Sequence, residues 1–204
     1  SRTDIKALAF LSDKEGIFIA GADIEVIKTI RVESEGASLA SQGQAVIEKL
    51  ESLPFPVVAC INGASMGGGT ELALCCKYIV VSDGTATRIA LPEVNLGVIP
   101  GFGGTVRLPN RVGLQTAMDY ILTGKNMNGD KAFKIGFADG ILPSQDFNAR
   151  ALQFTAKVAR GEVKRNYPRM SLSMKLLENN PLGRAVMFSQ ARKMTVSFTH
   201  LLAH

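Results

Sequence analysis

The residues of this chain best placed to do chemistry lie in VVACINGASMGGGTELALCC, Val57 to Cys76. Gly63-Ala64-Ser65-Met66-Gly67 fits G-x-S-x-G, the strand-to-helix elbow that presents a nucleophilic serine. The same stretch has a second reading. Gly67, Gly68 and Gly69 leave backbone N–H groups uncovered by side chains where a helix begins, and Glu71 follows. N–H groups at a helix N-terminus carry partial positive charge and suit a developing oxyanion. Gly21-Ala22, in an earlier glycine turn, offers a second donor. Taken alone, the glycines serve equally well for close packing and tight turns.

Most rival chemistries lack their partners. A serine nucleophile needs a histidine base, and the only histidines are His200 and His204, at the end of the sequence. No H-G-G-G stretch supplies a second oxyanion donor. A dinucleotide fingerprint needs Gly at i, i+2 and i+5. Leu72 and Val106 stand where the third glycine would follow Gly67 and Gly101. A P-loop fails because Gly69, not Lys, follows Gly68. Cys60, Cys75 and Cys76 sit in apolar surroundings without C-x-x-C or His-rich spacing, so a metal site is not expected. Their odd number suits a reducing compartment. The 23 Lys and Arg against 18 Asp and Glu give a net charge of +5, spread along the sequence. That excess suits an anionic ligand such as a phosphorylated carrier, not nucleic acid. No apolar run reaches the ~18 residues of a membrane span. The first residues, Ser-Arg-Thr-Asp, show no signal-peptide pattern and no initiator Met.

The elements that must position these residues can be read from pattern. IKALAFLS, IFIAGAD, VVACI, IVVS and FADGIL read as strands. Asp23 caps a helix beginning near Ile24. ESEGASLASQGQAVIEKLESL is a helix whose apolar positions are Leu39, Val46, Ile47, Leu50 and Leu53, stopped by Pro54 and Pro56. Gly67 to Gly69 open a helix through TELALCCKY. Residues 85–109 read as irregular and glycine-rich, with short elements. LQTAMDYILTG, GDKAFKIG and FNARALQFTAKVARG are helical by period, and two more helices follow Pro168. Alternating strands and helices predict an α/β protein with largely parallel pairing and a helical C-terminal quarter. No internal sequence repeat is evident.

With FIAGAD, NGASMGGGTELAL and LPEVNLGVIPGFGGTVRL in order, the chain resembles the enoyl-CoA hydratase/isomerase, or crotonase, family. The likeness runs from Ile5 to Leu142 and is nearest to the hydratase part of multifunctional fatty-acid oxidation α subunits. ENNPLGRAVMFSQARK, Glu178 to Lys193, looks like the helical bridge toward their dehydrogenase part. The resemblance implies a crotonase-like ββα spiral core over residues 1–142 and a helical region over 143–204. The family's first hairpin and helix, N-terminal to Ile5, are missing from the sequence.

In site terms, the resemblance implies an oxyanion hole from the backbone N–H groups of Ala22 and Gly68. It makes Glu71 and Glu93 the catalytic carboxylates, Glu71 activating water and Glu93 delivering a proton. Gly21, Asp23, Met66, Gly67, Pro100 and Gly101 are the implied substrate contacts, and Ser65 falls in the turn that sets the glycines. The implied substrate is a 2-enoyl-CoA thioester, hydrated across C2=C3, with Δ3-Δ2 isomerisation as the alternative. A non-catalytic acyl-CoA-binding or assembly domain is the reading from a different class. Coenzyme A enters only as part of the substrate; no other cofactor is implied. The expected assembly is a homotrimer or hexamer, or association with a thiolase subunit. The expected location is the bacterial cytoplasm, with a mitochondrion or peroxisome as the alternative. No dehydrogenase activity is expected, because no nucleotide fingerprint follows.

Overall fold

A computed structural model describes residues 4–21, 32–168 and 177–202. The strands are β1 (Leu8–Phe10), β2 (Ile17–Ile19), β3 (Val57–Ile61), β4 (Ala64–Met66), β5 (Tyr78–Ser82), β6 (Arg88–Ala90) and β7 (Gly140–Leu142). They form two parallel sheets, one in the order β1-β3-β5-β7 and the other β2-β4-β6. The chain therefore alternates: each odd strand lies in the first sheet and each even strand in the second.

Helical segments make the return crossings that parallel pairing requires. α1 (Glu33–Glu51) lies between β2 and β3, and α2 (Gly68–Cys75) between β4 and β5. The 3₁₀ helix Pro92–Leu96, α3 (Gly104–Val112), α4 (Leu114–Thr123) and α5 (Gly129–Lys134) lie between β6 and β7. The result is a spiral of strand, strand, helix turns. A structural repeat is thus present although no sequence repeat announces it.

The central strands show why the order holds. β3 and β5 are buried on both faces, as parallel strands covered on both sides should be. Val57, Ala59 and Ile61 of β3 face the main core with Phe18, Leu74, Ile79, Val81, Ile89, Leu108 and Phe137. Val58 and Cys60, pointing the other way, pack with Val80 against Phe147, Ala151 and Val158 of α6 (Phe147–Ala159). A final helix, α7 (Pro181–Leu202), packs against α4.

Three sequence expectations are corrected. Among the described side chains of α1 only Ile47 is fully buried; Leu39 and Val46 are 44% and 57% exposed, so its packing stripe is narrower than the apolar pattern implied. Within residues 85–109 lie β6 and most of α3, which continues through Pro109 to Val112. Burial of Leu108, Arg111 and Val112 on one side of α3 outweighs the helix-breaking tendency of Pro109. Ser65 lies in strand β4, not in the glycine turn. The cap at Asp23, the helix near Ile24 and most of the first helix after Pro168 lie outside the described residues.

Candidate active site

The site begins where β4 ends. Gly67 adopts φ 52° and ψ −123°, a backbone region open essentially only to glycine. Its N–H donates to the Ala90 carbonyl of β6 at 3.0 Å, tying the turn to the neighbouring strand. α2 starts at the next residue, so the Gly68 amide belongs to the exposed donors of a helix N-terminus. Gly69 brings the helix hard against β2: a Cβ there would sit closer than 3.0 Å to the Ile19 carbonyl. Gly21, at φ 97°, lies against the Met66 carbonyl, so the turn leaving β2 runs beside the Gly67 turn.

Glu71, one turn into α2, is only 2% exposed. Its Oε1 accepts two backbone hydrogen bonds, from the N–H groups of Phe102 and Gly104, each at 2.8 Å. Burial raises its pKa, while those two donors and the nearby Arg107 guanidinium oppose the rise. The carboxyl is therefore held in one orientation by the segment that opens α3.

Glu93 reaches the same place from the 3₁₀ helix. Its Oε1 lies against Gly67, where a Cβ would come within 2.9 Å of it. Its Oε2 is buried and accepts no hydrogen bond. Burial pushes the Glu93 pKa up to about 7; its own backbone N–H opposes this, and the Glu71 carboxylate adds to it. The two acids thus sense one another across the glycine turn but differ in support. Glu71 is clamped by two donors, while Glu93 is poised to hold a proton near neutrality.

Of the implied site residues, Gly21, Met66, Gly67, Gly68, Glu71 and Glu93 come together. Pro100 and Gly101 lie on the segment leading to Phe102, and the Gly101 carbonyl accepts from Gln44 Nε2 of α1 at 2.7 Å. Ala22 and Asp23 fall outside the described residues. Ser65 is fully buried, with its hydroxyl 3.3 Å from that of Thr70, and is closed to any substrate. The donors from Phe102 and Gly104 escaped sequence reasoning because they are backbone groups, which residue type does not reveal. The Gly103-Gly104 pair was the visible sign that the backbone comes close there.

Among the described residues no three His, Cys, Asp or Glu side chains gather to hold a metal ion. All three cysteines are free and buried. No helix among the described residues is long and apolar enough to cross a membrane. A groove of 680 Å³ lined by Ser12, Asn62, Ser144 and their neighbours includes neither glutamate. The site is marked by the approach of acids and backbone amides.

The alternating parallel sheets, with paired carboxyls at a glycine-opened helix, define the crotonase class of fold. Comparison agrees: a family model described as enoyl-CoA hydratase/isomerase matches residues 1–196. The chain is 45% identical over 197 residues to a fatty acid oxidation complex subunit alpha of Vibrio cholerae, covering 95% of this chain and 27% of that protein. It is similar in structure to DspI of Pseudomonas aeruginosa, with TM-score 0.73 and 32% identity over 78% of this chain and 60% of that one. An enoyl-CoA hydratase from Bacillus anthracis gives TM-score 0.71 and 26% identity over 96% of this chain and 75% of that one. The chain belongs to the enoyl-CoA hydratase/isomerase family. It spans about a quarter of the length of the curated relatives it matches.

Proposed function

We propose that this chain hydrates 2-enoyl-CoA thioesters, with Glu71 and Glu93 as its catalytic carboxylates. The observation that carries the reading is the approach of two carboxyls from different elements, buried Glu71 at the start of α2 and half-buried Glu93 against Gly67. Water adds to C3 while C2 gains a proton and negative charge gathers on the thioester oxygen. The Gly68 amide, with Ala22 as the second donor by resemblance, holds that oxygen; one such donor contributes about 3 kcal/mol. Ionised Glu71, held by its two amides, takes the proton of the attacking water. Protonated Glu93 delivers its proton to C2. A proton passing between the two carboxyls restores the starting state, which their mutual influence supports.

Isomerisation of a Δ3 to a Δ2 double bond is a second reading, favoured by the free Oε2 of Glu93. It needs one carboxyl to take and return a proton, and no water. Loss of the enoyl chromophore reports hydration, and conversion of a 3-enoyl-CoA reports isomerisation. Glu71→Gln and Glu93→Gln are each expected to lower hydration by about 10²-fold or more. Full hydration by Glu71→Gln would refute the role of that residue. Loss of hydration with retained isomerisation in Glu71→Gln would favour the second reading. The relatives named as subunits of a fatty acid oxidation complex support association with a further subunit, such as a thiolase.

A further inference from the structure

We infer that Gly43 of α1 and Phe102 form a socket that positions the Glu71 carboxylate, so that α1 acts as a positioning element for the reaction. The kinetic part of this inference rests on the hydratase reading; the geometric part does not. Gly43 sits in mid-helix, where glycine costs about 0.5–1 kcal/mol relative to alanine. Its place is explained by the Phe102 ring: a Cβ on Gly43 would lie closer than 3.0 Å to three ring carbons. The other side of the ring is also bounded, since a Cβ on Gly68 would meet it at 3.2 Å. The ring therefore fills the space between α1 and the first residue of α2, and cannot swing aside freely.

The backbone of the same residue donates to Glu71 Oε1, and Gly104 supplies the second donor two residues on. Two more contacts fasten this segment to α1. Gln44 Nε2 donates to the Gly101 carbonyl at 2.7 Å. Arg107 donates from Nη1 to the Phe102 carbonyl at 3.0 Å and forms a two-pronged pair with Glu51 at 2.7 and 2.6 Å. Gly43, Gln44 and Glu51 thus hold residues 101–107, and those residues aim Glu71. Phe102 and Gly43 are positioning residues; neither needs to touch the reacting atoms.

Gly43→Ala separates this role from a merely structural one, because alanine favours the helix while its methyl group displaces the ring. Glu71 would then lose alignment with its two donors, and its pKa would rise further. The expected result is a fall in kcat of about 10-fold or more with KM little changed. The acidic limb of the pH–rate profile should move to higher pH. A ¹³C NMR titration of the Glu71 carboxyl should show the same upward shift, whatever reaction the site performs. Phe102→Leu in the Gly43→Ala background offsets the added methyl with a smaller side chain while keeping the backbone N–H, so it should bring the titration back toward the wild-type value. Gln42→Ala, exposed on the same helix, is the control expected to leave the profile unchanged.

Wild-type titration and wild-type kcat in Gly43→Ala would overturn the inference. Should Gly43→Ala fail to fold, Phe102→Leu alone tests the packing: an unshifted Glu71 titration refutes the socket, and an upward shift supports it. Absence of hydration by the wild-type protein, with the NMR shift still present, would defeat the proposed reaction and leave the socket standing.

Discussion

Glu93 combines a buried oxygen without a partner and a neighbouring carboxylate, and both disfavour its ionised form. This has a consequence for stability as well as for proton delivery. Its folded pKa, about 7, lies above its ordinary value of 4.5, so the folded state binds the proton more tightly than the unfolded state. The stabilisation is fully present below about pH 4.5 and is lost as pH rises toward 7. Glu93→Gln keeps the neutral form at every pH. Its thermal midpoint should exceed that of the wild type at pH 8 and match it closely at pH 4.5, while hydration is lost. A midpoint difference that does not change with pH would show that Glu93 is not held protonated. Such a gain in stability at the expense of activity is the usual mark of a functional group kept in an unfavourable setting.

At the scale of elements, the short helix α2 carries the site and depends on how closely it approaches β2. Gly69 permits that approach, since any side chain there would strike the Ile19 carbonyl. The obstacle is backbone, which cannot rotate away as a side chain can. Gly69→Ala should therefore destabilise the fold by about 3 kcal/mol in urea denaturation. It should also lower hydration by moving Gly68 and Glu71 together. A variant as stable and active as the wild type would show that the approach is looser than described. The segment after β6 illustrates what element-level patterns miss. Glycines and Pro109 made residues 85–109 look irregular, yet α3 forms because Leu108, Arg111 and Val112 are buried together.

Across the whole molecule, Asp139 ties regions far apart in sequence. Its side chain is fully buried and accepts from the Ile79 amide of β5, from Arg111 of α3, and from Arg165 and the Asn166 amide. Arg111 also donates to the Phe137 carbonyl. Burial pushes the Arg111 pKa down to about 10, with the Asp139 charge opposing. Removing that charge leaves a buried guanidinium without its counterion, so Asp139→Asn should cost about 3 kcal/mol. Urea denaturation at neutral pH measures it. Glu71 and Glu93 lie outside this network, so the remaining folded protein should keep the proposed hydration rate. A loss below 1 kcal/mol would mean that water or backbone groups already satisfy Arg111.

The sequence by itself determined five of the seven described strands, most helices and the glycine turn that opens α2. These follow from local properties, apolar period and turn-forming residues; Glu71 and Glu93 were singled out by the family resemblance. Tertiary structure alone decided that Ser65 is sealed inside, that α3 runs through Pro109, and that Phe102 and Gly104 hold Glu71. It also decided that Glu93 retains its proton to about pH 7. The reason is physical: burial, desolvation and backbone hydrogen bonds between distant segments depend on which surfaces meet. No residue type states in advance which surface it will face.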